Sequence, residues 1–282
     1  MKIAYITDSA TGKSIEELAK DQIFSLPLQI TDDDTTYFDL ENFSVDQCIT
    51  LLNEKKVFKT SLPALGLIDD LIANIKKQGF TRVIAVMICP GLSGTTNAIA
   101  ATCKQYEIEC KTVDTGSTAN LQEYIIKYIQ KSLANGLNEK LVFENVDKII
   151  ASAQTLIIPE DMHHLQRGGR LTPFAATLAE LLKIKPILEI NLKTNGRIDV
   201  LEKVRTFTKA IDKVINKHLV NNVQSNYVIY IAHVDCYDKA EIVKAKLKSK
   251  LPNVEIIIEP LCNPVSCHCG LKSIAIQYFM KL

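Results

Sequence analysis

The sequence contains no apolar run close to the roughly 20 residues that cross a bilayer. Even the stretch Val254 to Ile258 is interrupted by Glu255, so no integral membrane segment is expected. It also lacks a surplus of charge. Lys and Arg number 33 against 32 Asp and Glu, a net +1 with histidine neutral, which leaves no positive field to gather phosphate backbones and excludes nucleic acid as an expected partner. Lys2 to Ile6, followed at once by Thr7 and Asp8, is too short and polar for a signal-peptide core. It reads as a first buried strand, and the expected location is the cytoplasm. There is no Walker-type phosphate loop, dinucleotide fingerprint, internal repeat or low-complexity linker, so nucleotide chemistry by this chain alone is disfavoured.

What remains is globular composition, 47% hydrophobic and 23% charged over 282 residues, enough for one large or two modest domains. Eight cysteines in such a chain are expected to stay reduced, most of them as small core hydrophobes.

The strand at Lys2 to Ile6 leads to Ser14 and Glu17, which have capping-box spacing. Ile23 to Ile30 reads as one extended segment holding Pro27, and the acidic loop Asp32 to Asp34 separates it from a helix that starts at Ser44 and Gln47 and runs through Leu52. The spacing of Leu67, Ile68, Leu71, Ile72 and Ile75 predicts a helix ending near Gly79, followed by a strand from Arg82 to Ile88. Pro90, Gly91 and Leu92 turn into a helix from about Ser93 to Gln105. Beyond it come a strand at Cys110 to Val113, a polar turn at Asp114 to Ser117, helices at Leu121 to Leu133 and near Glu139 to Ser152, and a strand at Gln154 to Ile158. Alternating strands and helices predict a parallel sheet.

From Pro159 the texture changes. A helix is predicted around Ala175 to Leu182, then strands at Pro186 to Asn191 and Arg197 to Lys203 joined by Asn195 and Gly196, then helix, strand, helix and strand to Ile258. An Asn-Gly turn implies a mixed or antiparallel sheet. The expected architecture is therefore α/β in two domains: residues 1–158 with a Rossmann-like parallel sheet, and residues 159–282 with the mixed or antiparallel sheet and the ligand crevice at the interface.

In open parallel sheets ligands sit beyond the carboxyl ends of the strands, where helix N-termini attract anions. Three such loops carry hydroxyls: Thr7 to Ser9, Ser93 to Thr96, and Thr115 to Ser117. Thr60 and Ser61 also precede a helix. Ser93, between Gly91 and Gly94, suits a carboxylate or phosphate, but it could equally be only an N-cap, as could Ser9, Ser14 and Ser117. As a nucleophile Ser93 lacks the second glycine of an elbow and an evident acid partner. Cys262, Cys267, His268 and Cys269 hold zinc-type ligand atoms, yet on an extended chain neighbours point to opposite faces and no second pair follows at the usual separation. Gln166 to Arg170 is a basic turn, with Lys183 and Lys185 soon after. It is either solvated surface charge or, given the paired glycines, backbone shaped to present Arg170.

Taken together, Thr7-Asp8-Ser9, Lys59 to Pro63, Leu92 to Thr95, Val113-Asp114, Leu165 to Arg170, Ile184 to Ile187 and Val204 to Thr206 resemble the DegV family in order and spacing over essentially the whole chain. The resemblance implies two α/β domains with a fatty acid between them, its tail inside one and its carboxylate at the interface. In some members it also implies a role as the fatty-acid-binding subunit of a bacterial fatty acid kinase in phospholipid metabolism. A separate ATP-dependent subunit then makes the acyl phosphate, so this chain itself needs no catalytic group, cofactor or metal. On that resemblance Thr60 and Ser93 match the positions that bind the carboxylate, His268 matches the C-terminal histidine, and Arg170 matches the basic turn near the head group and the kinase-docking face. Ser61, Gly94 and Thr95 are expected to support them. Leu62 stands where glutamine is usual, and Cys269, Leu271 and Lys272 replace a threonine and a glycine-rich continuation. Two other function classes fit parts of the sequence: a serine-dependent acyl ester hydrolase or transferase using Ser93, and a metal or redox module on Cys267, His268 and Cys269.

Overall fold

A computed structural model describes residues 2–33, 35–177 and 184–282. The elements in the first half are β1 (Ile3–Asp8), α1 (Ile15–Ala19), β2 (Ile23–Leu26), β3 (Gln29–Asp32), β4 (Thr35–Phe38), α2 (Val45–Asn53), β5 (Phe58–Ser61), α3 (Leu65–Lys77), β6 (Arg82–Ala85), α4 (Thr95–Gln105), β7 (Glu109–Thr112), α5 (Asn120–Ala134) and α6 (Glu139–Ser152). Four strands form a parallel sheet in the order β2-β1-β6-β7, and three form a small antiparallel sheet in the order β4-β3-β5. The segment expected as one strand from Ile23 to Ile30 is thus two strands in two different sheets. Pro27 has no N–H for a ladder, and the chain changes sheet around it. Likewise only Arg82–Ala85 joins the ladder. Val86 to Ile88 stay buried, and the Ile88 N–H is given to the Asp8 carboxylate at 2.9 Å.

The second half holds β8 (Gln154–Ile158), α7 (Met162–Arg167), α8 (Pro173–Thr177), β9 (Lys185–Ile190), β10 (Asp199–Val204), α9 (Phe207–Lys213) with a π-helical turn at Val214–Leu219, β11 (Tyr227–His233), α10 (Tyr237–Lys250), β12 (Glu255–Pro260), α11 (Asn263–Cys269) and β13 (Ile274–Met280). Its six-stranded sheet runs β10-β9-β8-β13-β11-β12 and is antiparallel except for β11 with β12. A mixed sheet following a parallel one is the α/β architecture the sequence implied. The expected helix from Ala175 to Leu182 begins within α8, while residues 178–182, like Lys183 and Asp34, lie outside the described residues.

The strand Gln154–Ile158, expected to close the first half, pairs among the described residues with β9 and β13 of the mixed sheet. Two expectations are corrected. The Asn195-Gly196 pair does not close a two-residue hairpin. Both residues have φ above zero, 53° and 65°, but β9 ends at Ile190 and β10 begins at Asp199, with a 3-10 turn at Leu192–Thr194 capped by Asn191 between them. The Cys267 to Cys269 stretch is the last part of α11 rather than extended chain. Pro264 in its first turn suits a helix start because that N–H is unpaired anyway.

Helices α5 and α6 join the two large sheets. Leu121, Ile125, Ile129, Val142, Val146 and Ile149 pack together with Ile84 of the parallel sheet, Val86 just beyond β6, and Val228 and Phe279 of the mixed sheet. A buried polar spine runs alongside. Gln277 of β13 accepts the Leu121 N–H at the start of α5 at 2.8 Å and donates to Thr155 Oγ1 at 2.7 Å and to Thr118 O at 3.0 Å. Gln122 donates to Asp8 Oδ1 at 2.8 Å and to Thr7 Oγ1 at 3.0 Å. Because each amide is saturated in a dry environment, Gln277→Leu should cost about 2 kcal/mol or more by stranding the Leu121 N–H and the Thr118 carbonyl. Calorimetry on that variant reads the loss directly.

Candidate functional site

The parallel sheet, the small antiparallel sheet and α11 meet around a cavity of about 290 Å³. Thr60 and Ser61 end β5 and sit on one side, Ser93 and Gly94 precede α4, Arg170 follows α7, and His268 comes from α11. Leu28, Ile88, Leu92, Ile198, Pro264 and Val265 supply an aliphatic wall. Of the expected residues, Thr60, Ser61, Ser93, Gly94, Arg170 and His268 line the cavity. Thr95 is fully buried behind it and shares a hydrogen bond of 2.8 Å with Ser93.

Ser93 is not an N-cap. Gly94 holds that position with no side-chain cap, and α4 starts two residues later than expected, at Thr95. Ser14 does cap α1 with a complete capping box. Ser9 instead accepts the Leu28 N–H at 3.0 Å, and Ser117 pairs with Thr155 and Gln277. The Thr7 to Ser9 and Thr115 to Ser117 loops therefore support the fold and do not line the cavity.

His268 carries the electrostatics of the polar end. Its Nε2 lies 2.7 Å from Thr60 Oγ1. Among the described residues its Nδ1 has no partner, and it is shut off by Gly168, where a Cβ would come closer than 3.0 Å. A buried N–H without an acceptor is rarer than a buried lone pair without a donor, so the proton belongs on Nε2, which donates to Thr60 Oγ1. Burial, then the Arg170 guanidinium and His164, push the His268 pKa down to about 3, and the ring stays neutral at physiological pH. Thr60, having accepted from His268, keeps its own hydroxyl proton to donate.

Arg170 is half-buried. Its guanidinium donates to Gly168 O at 2.5 Å and Thr60 O at 3.3 Å, and burial lowers its pKa. Neither acceptor is a carboxylate. The glycine pair shapes this turn: Gly168 gives His268 room, and Gly169 has φ +67°.

The other chemistries do not assemble. Ser93 faces Thr95 and the cavity's histidine is engaged by Thr60, so among the described residues no base pairs with the Ser93 hydroxyl. The Cys267 thiol faces Cys48 at 3.8 Å while His268 turns to Thr60. Burial raises Cys267 well above the ordinary thiol range and Cys269 to about 12, which keeps both protonated. Among the described residues no group of three or more His, Cys, Asp or Glu could hold a metal ion, and no helix is long and apolar enough to cross a membrane. The apolar wall was not singled out from the sequence. Its residues, such as Leu28 and Ile88, are distinguished from core residues only by the packing that brings them together.

The family model described as an uncharacterised protein of the DegV family matches residues 2–281. A DegV domain-containing protein of Streptococcus pyogenes serotype M3 is 30% identical over 279 residues, 98% of each chain. Another, from Listeria monocytogenes serovar 1/2a, is 30% identical over 286 residues, 99% of each chain. Among solved structures, a fatty-acid-binding DegV family protein from Streptococcus agalactiae is similar with a TM-score of 0.90 at 28% identity, covering 100% of both chains. A Bacillus subtilis DegV, described as a fatty acid binding protein, shares the fold at a TM-score of 0.87 and 24% identity, again over 100% of both chains.

Proposed function

The chain belongs to the DegV family, and from that premise we propose that its cavity binds one long-chain fatty acid and presents the carboxylate to a separate ATP-dependent kinase subunit, which forms the acyl phosphate. The observation that carries this reading is the cavity's lining: Thr60, His268 and Arg170 cluster together, the guanidinium bonding among the described residues to backbone carbonyls rather than to a carboxylate, and the Ser93 hydroxyl and an aliphatic wall line the same space. A ligand carboxylate accepts from Thr60 and Ser93 and gives Arg170 its counter-charge. The neutral His268 orients the Thr60 hydroxyl and adds no second positive charge beside Arg170.

The division of labour follows from magnitudes. Each buried methylene contributes about 0.8 kcal/mol, so the tail supplies most of the affinity, while one hydroxyl contributes about 1 kcal/mol. Thr60→Val and Ser93→Ala should therefore each weaken fatty-acid binding by only about fivefold to tenfold. Transfer of phosphate from the kinase subunit should fall much further, since it depends on the carboxylate's orientation. Fluorescent-lipid displacement on delipidated protein, paired with an acyl phosphate assay, separates the two. Wild-type protein that takes up no fatty acid at micromolar concentration would refute the proposal.

A further inference from the structure

His268 is held by more than Thr60. Helix α7 and the C-terminal end of α11 exchange rings and glycines. His268 lies over Gly168, just after α7. His164, on α7, lies over Gly270, just after α11, where a Cβ would come within 2.9 Å of its Cδ2. His164 Nε2 is 2.9 Å from the carbonyl of Cys267, the residue before His268, and its Nδ1 is 3.3 Å from Arg167 Nη2. A guanidinium only donates, so Nδ1 must be the acceptor and the proton must sit on Nε2, donating to Cys267 O. That carbonyl belongs to the last turn of α11, where backbone acceptors lack helical partners.

We infer that His164, locked as its Nε2–H tautomer by Arg167, is a positioning residue that caps α11 from α7 and thereby fixes the pose of His268 against Thr60. It touches no cavity surface itself. Its effect on ligand binding rests on the function proposed above, but its effect on His268 does not.

Long-range nitrogen–proton correlation spectra of the histidines in ligand-free protein test this directly. In the wild type His164 should appear as a neutral Nε2–H tautomer, and the Nδ1–H form would overturn the inference without any variant. His164→Ala should shift the His268 ring resonances and weaken fatty-acid binding several-fold, by no more than the roughly fivefold to tenfold expected of Thr60→Val. His164→Gln, whose amide can still donate to Cys267 O and accept from Arg167, should restore both. Unchanged His268 resonances in His164→Ala, or a glutamine variant no better than alanine, would also overturn it. Should the alanine variant not fold, Arg167→Ala, an exposed change, still reports: it should release the His164 tautomer into a mixture. Wild-type protein that binds no fatty acid would sink the function and leave these spectra decisive for His164.

Discussion

Gly91→Ala should lower stability by about 3 kcal/mol or more, at the upper end of overpacking costs, which for a chain of this size is roughly 6–12 °C in Tm. It should also abolish ligand binding. A Cβ at Gly91 would come closer than 3.0 Å to Asn195 O and to Gly196 C and O, all of them backbone. Backbone cannot swing aside as a side chain end can. Gly196, with φ +65°, in turn packs on Cys89, whose thiol donates to Gly196 O at 3.4 Å. The two loops that touch here carry Ser93 and Ile198, so forcing them apart opens the cavity wall from both sides. Gly94→Ala, three residues on, is the control: a Cβ there meets nothing within 4 Å, and its Tm should stay within about 2 °C of wild type. Equal melting of the two variants would show that the glycine contact is not what holds the loops.

The second large effect is a pH dependence of unusual sign. Asp8 and Asp39 are buried, and burial pushes their pKa values up from 3.8 to about 6 and about 7. At Asp39 burial outweighs the Ser9 hydroxyl and the Asn263 amide, whose Nδ2 donates to Asp39 at 2.9 Å, and the Asp8 carboxyl nearby raises the pKa further. A carboxyl whose folded pKa exceeds its unfolded value holds its proton longer when folded, so its share of stability is present below about pH 4 and declines as pH rises toward 7. His268 acts oppositely. With a folded pKa of about 3 against 6.5 unfolded, its share is full above pH 6.5 and is lost as pH falls toward 3. Asp39→Asn isolates the acid: its stability relative to wild type should rise between pH 4 and pH 7 by on the order of 4 kcal/mol, about three pKa units, and then level off. Denaturation midpoints taken across that range check it. A difference between the two proteins that does not change with pH would mean that Asp39 is ionised throughout.

Elements with local signals are legible in the sequence. Glu139 to Ser152 and Gln154 to Ile158 have the bounds the sequence predicts, since an apolar 3.6-residue repeat and a short apolar run identify themselves. Sheet membership was not legible, because Gln154–Ile158 carries no mark of pairing with Ile274–Met280. The hydroxyls and Arg170 stood in recognisable order. His164 did not stand out, because its role depends on a carbonyl 103 residues away. Asp39 was equally silent. Nothing next to it in sequence shows that Asn263 and a second carboxyl will close over it.

The place of β13 has a consequence for the order of folding. Ile274–Met280 lies between β8 and β11 and pairs with both, yet of the six strands in that sheet it is the last to be translated. Until it arrives, β9 with β10 and β11 with β12 can form only as separate halves with an open slot between them. Contacts of such long sequence separation are slow to form and leave unpaired edges exposed in the meantime. The Gln277 amide, which caps α5, arrives on the same strand, so closure of the sheet and anchoring of α5 both wait on the same segment of chain.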